Sequence, residues 1–272
     1  MYSIGDLRLQ VNRLKKNRAL ITNCFLSSRE LEESAAEMTS VFEYNEKSAA
    51  LFCQEETVNR LYFYLDGIDA VSDLKKLLRK APRLPFVTDC VGKEQTVAEL
   101  EAALCGVGFS FYAKYTRWSS SGVIFPPKTL LNNSMFQRST TADAPGILSL
   151  INETFDPLTG HLPNREKLMD LIKSGTVFHV FMDTQYAAVV CLEKKGKNSI
   201  YIYLDIVAQP YRGRGIGKLL LQYALWQYRE CPCVTSWTPD DPSLVNNRMH
   251  EALGMVRDGL KDSILIYRQE EA

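Results

Sequence analysis

Residues Ser199 to Glu230, SIYIYLDIVAQPYRGRGIGKLLLQYALWQYRE, constrain this chain more than any other stretch. It opens on Ile200, Tyr201, Ile202, Tyr203 and Leu204, an apolar run of β-branched and aromatic residues that predicts a buried strand. Arg212-Gly213-Arg214-Gly215-Ile216-Gly217-Lys218 then packs three glycines and three cations into seven residues. From Ile216 the apolar spacing turns helical through Leu219, Leu220, Tyr223 and Ala224, stopping before Pro232. Strand, glycine loop and helix start make an anion cradle. The glycines let backbone approach a ligand, and the first-turn N–H groups lack an intrahelical acceptor. Arg212, Arg214 and Lys218 put formal charge at the same point, where without an anion they would repel one another.

Spacing sorts the possible cradles. A Walker loop needs Ser or Thr after Gly-Lys, and Gly217-Lys218 is followed by Leu219. A dinucleotide fingerprint needs GxGxxG, whereas the glycines here fall at 213, 215 and 217. A nucleotide-binding reading therefore ranks low. Arg-x-x-Gly-x-Gly is met by Arg212, Gly215 and Gly217, with Tyr211 before the Arg and Val207 five residues ahead of it. This resembles the acetyl-CoA-binding motif of the GNAT superfamily of N-acyltransferases, V-x-x-x-Y-R-G-x-G-I-G.

The periodicity around the motif agrees. The second half reads as a strand near Met135–Ser139, helices after Thr141 and from Asn164 to Lys173, and strands Thr176–Met182 and Tyr186–Glu193. After the central strand and the helix from Ile216 come a strand Val234–Thr238, a helix Val245–Leu253 and a strand Ser263–Arg268. That is the element order of a GNAT domain, so the resemblance covers about half the chain by pattern and about thirty residues by motif. The first half reads β-β-α-β-α-β, from Ser48 to Trp118, with a helix start earlier at Ser27-Ser28-Arg29-Glu30 before Leu31. It ends like the second, with Val107-Gly108-Phe109 answering Leu253-Gly254-Met255. Aligned so, Asp66-Gly67-Ile68-Asp69 falls where the cradle belongs, with one glycine and two acids. The expectation is an α/β (α+β) chain: two GNAT-like domains in tandem, each a mixed central sheet flanked by helices. Residues 1–122 form a degenerate copy without a phosphate loop, 123–133 a Ser/Gly/Pro-marked linker, and 134–272 the domain that binds the acyl donor.

The resemblance implies the site. Acetyl-CoA, as co-substrate, lays its strand-like arm along Ile206, Val207 and Ala208, where the central strand parts from its neighbour and backbone amides polarise the thioester carbonyl. Arg212, Gly213, Arg214, Gly215, Ile216, Gly217 and Lys218 hold the pyrophosphate. Asn246 and Asn247 stand near the place of an Asn that holds the arm, where the aligned residue is Ser243. An amine is protonated at neutral pH, so attack needs a base, and Asp205 is the first choice. His250 sits where the family often carries a Tyr that protonates the leaving thiolate, and imidazole titrates near neutrality. Tyr203 or Tyr201, expected on the same side of the strand as Asp205, is the alternative acid. His161 lies in the loop that lines the acceptor pocket in this family. No histidine stands at metal-ligand spacing, so no metal is expected.

Composition narrows the class further. The chain is 272 residues, 46% hydrophobic and 24% charged, without a run long enough to span a membrane. A formal net charge of zero gives no field for nucleic acid or an anionic surface. Seven cysteines with no C-x-x-C pair and no signal segment read as reduced, cytoplasmic thiols. The expected protein is a cytoplasmic N-acetyltransferase that moves an acetyl group directly to an amine, a homodimer being allowed and no nucleic acid or membrane involved. The alternative is a CoA-binding sensor or scaffold that kept the cradle and lost the acid.

Overall fold

The computed structural model describes residues 4–24, 40–54, 59–79, 85–125, 134–160, 162–241 and 245–268. His161, Ser243, the helix start at Ser27–Leu31 and most of the 123–133 linker lie outside the described residues. The chain forms two compact units, residues 1–114 with 260–272, and residues 115–259. This division departs from the expected boundaries at both ends of the second domain. The strand entering the expected linker gives its last residues to the C-terminal unit, and the chain's final strand, which begins in the C-terminal unit, gives residues 260–267 to the N-terminal one.

The N-terminal unit contains α1 (Ile4–Leu14), β1 (Leu20–Thr22), β2 (Ser40–Tyr44), β3 (Ser48–Gln54), β4 (Asn59–Asp66), α2 (Val71–Leu78), β5 (Phe86–Lys93) and α3 (Glu94–Cys105). The helix α2 buries Val71, Leu74, Leu77 and Leu78, the stripe its spacing predicts. With α3 it covers Phe52, Leu61, Phe63 and Phe86 on one sheet face, while Val11 and Leu14 of α1 pack with Leu51 and Tyr64 on the other. Residues Leu260–Tyr267 pair antiparallel with β5. The pairing of β4 with β5 is parallel and very short, Asn59↔Phe86 and Arg60↔Val87. Beyond it β1 takes an antiparallel place on β4, from Leu20↔Asp66 to Thr22↔Tyr64. Asn23 secures the junction: its Nδ2 donates to Leu61 O (3.0 Å) and Thr88 Oγ1 (2.8 Å), and its Oδ1 accepts Phe63 N–H (2.7 Å).

The C-terminal unit begins within β6 (Phe109–Ser120), followed by β7 (Gln137–Arg138), α4 (Ala144–Thr154), α5 (Arg165–Lys173), β8 (Val177–Met182), β9 (Gln185–Lys194) and β10 (Ser199–Val207). Then come α6 (Ile216–Trp226), β11 (Cys233–Pro239), α7 (Val245–Ala252) and β12 (Val256–Tyr267), the last twice the expected length. Asn164 caps α5 by accepting the Lys167 N–H at 2.9 Å, which sets that helix start. Sheet order is β6-β11-β10-β9-β8-β7. On one face α4 and α5 bury Ile147, Ile151, Leu168 and Leu171 against Val177, Val189 and Cys191. On the other, Leu220, Leu221 and Ala224 of α6 pack on Val190, Ile200 and Ile202. No described helix is long and apolar enough to cross a membrane.

Candidate functional site

The central strand β10 pairs parallel with β11 only from Ser199↔Cys233 to Ile202↔Ser236. Past that point β11 continues along β6, through Trp237↔Arg117 to Pro239↔Tyr115, and β10 continues along β9 to Val207↔Ala188. The two strands therefore part, leaving one backbone edge of β10 without a β11 partner. At the same point the β10·β9 register slips between Ile202 and Leu204, so Tyr203 is an extra, bulged residue.

The bulge reverses the faces of the strand. Ile200 and Ile202 lie in the core under α6, whereas Leu204 and Ile206 lie in the core under α4 and α5. Tyr203 packs against that second cluster, and Val207 against the first. Asp205 consequently faces α6 and α7. The expectation that Tyr201 and Tyr203 share the side of Asp205 is corrected: a strict alternation would give it, and the inserted residue shifts the phase by one.

On the α7 side Asp205 stands within electrostatic range of His250. His250 is fully buried, its Nδ1–H donates to Asn246 O at 2.7 Å, and its Nε2 has no hydrogen-bond partner. Because a carbonyl only accepts, Nδ1 carries a proton and Nε2 is the atom left to gain or lose one. The Trp118 ring stacks obliquely on the imidazole, centroids 5.5 Å apart, and is held by its own Nε1–H donating to Thr238 Oγ1 at 2.9 Å. Burial raises the Asp205 carboxyl above the ordinary aspartate range; the neighbouring His250 and a backbone N–H act in the opposite direction.

At the end of β10 the cradle takes shape. Gly213 and Gly215 both have φ of 76°, with nothing within 4 Å of the place a Cβ would occupy. Gly215 is the N-cap of α6, no side chain caps the helix, and its first turn is thus left to an external acceptor. Gly217 serves packing: a Cβ there would stand 2.6 Å from Val207 Cγ2, so only glycine lets α6 seat against the strand end. Arg212 Nε–H donates to Val207 O (3.0 Å) and Arg214 Nη2–H to Pro210 O (3.0 Å), with the Arg214 guanidinium 5.3 Å above the Tyr211 ring. These bonds hold the loop while the rest of each guanidinium faces outward. Tyr211, buried, anchors the loop from below, its hydroxyl 3.2 Å from both Met182 O and Asp183 Oδ2 and accepting Gln185 Nε2–H.

Two residues expected at the donor arm have their polar groups engaged elsewhere. Ala208 N–H donates to Ala187 O and its carbonyl accepts Tyr211 N–H. Asn247 is buried, accepting from Thr238 Oγ1 at 3.3 Å and donating to Asp241 O at 2.6 Å. Asn246, one residue earlier, is only half-buried. Missed in the sequence were the bulge at Tyr203, Trp118 beside His250, and Tyr211 as the loop's anchor. The signal for Tyr211 was present, an aromatic just before the Arg, but nothing local told which hairpin it would reach.

The acetyltransferase (GNAT) family model matches residues 145–255. A GCN5-related N-acetyltransferase from Kribbella flavida superposes with a TM-score of 0.57 at 11% identity, covering 90% of this chain and 96% of that one. A GCN5-related N-acetyltransferase from Sphaerobacter thermophilus gives 0.55 at 10% identity, covering 87% and 84%. A tandem GNAT protein from the clavulanic acid biosynthesis pathway gives 0.54 at 14% identity, covering 86% and 85%. No curated protein matches the sequence. At such identities the superpositions speak for the fold alone, and the family match speaks for the second half. Residues 145–255, with the parted strand, the glycine loop and the helices on either side, are a GNAT acetyltransferase domain.

Proposed function

We propose that the C-terminal unit is an acetyl-CoA-dependent N-acetyltransferase acting directly on an amine. The observation that carries the reading is the parting of β10 from β11 at the Tyr203 bulge, ending on an uncapped helix start behind two left-handed glycines. The residues fit acetyl-CoA: the open β10 edge suits a strand-like amide arm, and the α6 N-terminus with Arg212, Arg214 and Lys218 suits a pyrophosphate. Bound there, acetyl-CoA supplies an acyl group already activated as a thioester.

The chain's own groups manage protons. Backbone amides at the bulge polarise the carbonyl. As the amine nitrogen forms its bond to the carbonyl carbon and the carbon–sulfur bond breaks, the amine gives up one proton and the sulfur takes one. Asp205 accepts the first and His250 delivers the second from Nε2, which leaves Asp205 protonated and His250 neutral; the proton on Asp205 then returns to Nε2 by way of solvent, restoring both groups for the next turnover. Burial of Asp205 strengthens it as a base, and an acceptor that arrives as an ammonium sheds its extra proton to solvent before attack.

The N-terminal unit, on this reading, is a degenerate copy. Its β4 and β5 pair over an even shorter stretch than β10 and β11 before parting, but β1 and Asn23 fill the gap where a donor arm would pair. One acetyl-CoA per chain follows. Seven free cysteines support a reducing, cytoplasmic setting.

The test is thermal stability with acetyl-CoA and separately with ATP, repeated on Gly215→Glu, followed by thiol release with an amine panel. At about a hundred times its Kd, acetyl-CoA should add about 2.7 kcal/mol, several degrees in Tm, and the variant should lose the effect. Protection by ATP alone would overturn the reading. Protection by acetyl-CoA without turnover would replace it by the CoA-binding sensor.

A further inference from the structure

The acceptor's chemistry can be read on the sheet face opposite His250. On β10 up to the bulge, on β11 from Val234 to Thr238 and on β6 from Thr116 to Ser120 the residues alternate between a buried set on the α6 and α7 side and a half-buried set on the other side. The register brings the half-buried set together: Glu193 and Thr235 flank Tyr201, Arg117 pairs with Trp237, and Ser119 with Thr235. Tyr203 follows the last paired residue of β10, Ile202, and Trp237 follows its partner Ser236. Two aromatic side chains thus flank the point where the strands part, on the face away from Asp205 and His250. Phe155 and Leu162, at either end of the α4–α5 connection, pack on the same cluster as Tyr203.

Charge on this face is allocated. Glu193 is bridged by Lys167 Nζ at 2.7 Å and Lys195 Nζ at 2.8 Å. Those two ammonium groups stand 6.0 Å from the ring centres of Tyr203 and Tyr201, themselves 6.0 Å apart and edge-to-face. Arg117 is ion-paired with Asp258 at 2.7 Å. Among the described residues of this face, three cations therefore meet two carboxylates, and both carboxylates already have a cationic partner. A polyamine or a lysine-rich peptide needs acidic groups for its remaining ammoniums, and its place over the tyrosine rings is taken by Lys167 and Lys195.

Resting on the acyl-transfer reading above, we propose that the acceptor is an aromatic monoamine bearing a carboxylate, of which an aromatic amino acid is the simplest example. Its ring lies between Tyr203 and Trp237, its carboxylate meets the surplus charge of Lys167 and Lys195, and its amine reaches into the parting of the strands.

The test compares L-tryptophan, L-phenylalanine, tryptamine and spermidine at fixed acetyl-CoA, reading thiol release, with saturation-transfer NMR for binding. The aromatic amino acids should exceed spermidine by about tenfold or more in kcat/KM, and tryptamine should fall between them. Trp237→Leu should raise KM for the aromatic acceptor about tenfold with kcat little changed, and Trp237→Phe should restore it. Lys167→Met with Lys195→Met should weaken L-tryptophan but not tryptamine. Preference for spermidine, or neither binding nor turnover of the aromatic amines while acetyl-CoA still protects the protein, would overturn the acceptor class alone. Loss of acetyl-CoA protection itself would instead remove the underlying transfer reading.

Discussion

Gly217→Ala is the most informative single change. Helix propensity alone predicts that it stabilises, by up to about 1 kcal/mol, because Gly217 lies within α6 with no left-handed backbone requirement. The structure predicts the opposite sign. The new Cβ would stand 2.6 Å from Val207 Cγ2, against an ordinary contact of 3.4–4 Å. Relieving about 1 Å of overlap between a helix and a strand end costs about 1–3 kcal/mol, outweighing the propensity gain. The net loss, about 1–2 kcal/mol, should lower Tm by a few degrees in calorimetry. Val207 ends the strand that the donor arm would follow, so acetyl-CoA Kd by titration calorimetry should rise about tenfold. Val207→Ala removes the offending methyl. The double variant should therefore be less damaged than the sum of the two single changes, with a coupling of about 1 kcal/mol. A higher Tm for Gly217→Ala at unchanged Kd would refute the argument.

Asp205→Asn should cut kcat by about 10²–10⁴ while Tm holds or rises, since a buried carboxyl with a raised pKa is costly to ionise; activity within a few-fold of the parent would make Asp205 structural. Asn23→Ala strips three hydrogen bonds from the β1 junction and should cost about 2–4 kcal/mol by denaturant unfolding. Titration of the parent should still show one acetyl-CoA per chain, and two would sink the idea of a filled N-terminal gap. Asp262, in the N-terminal unit, is pushed up to about 8 by burial and by the nearby Asp89, against the pull of a backbone N–H from Cys90 and of Arg60. The folded state then holds a proton that the unfolded chain releases near pH 4, so stability should fall as pH rises between about 4 and 8. Asp262→Asn should flatten Tm against pH over that window, and an unchanged slope would point to another group.

Much of this protein is legible from local chemistry. The apolar spacing of Val71, Leu74, Leu77 and Leu78 places α2, and Asn164 ahead of Arg165 starts α5. Three glycines with three cations after an apolar strand place the cradle, because helix starts, left-handed turns and anion affinity are properties of neighbouring residues. Tertiary pairing decided the rest. Whether a strand carries a bulge depends on its neighbour's register, so the face of Asp205 relative to Tyr203 was out of reach of alternation counted along β10 alone. Which segment fills a gap depends on chain brought from far away: Asn23 reaches Thr88 across 65 residues. The division into units likewise turned on where the ends of β6 and β12 found partners. Residue identity determined what each segment could become and which chemistry it carries; only packing determined which side of the sheet that chemistry faces.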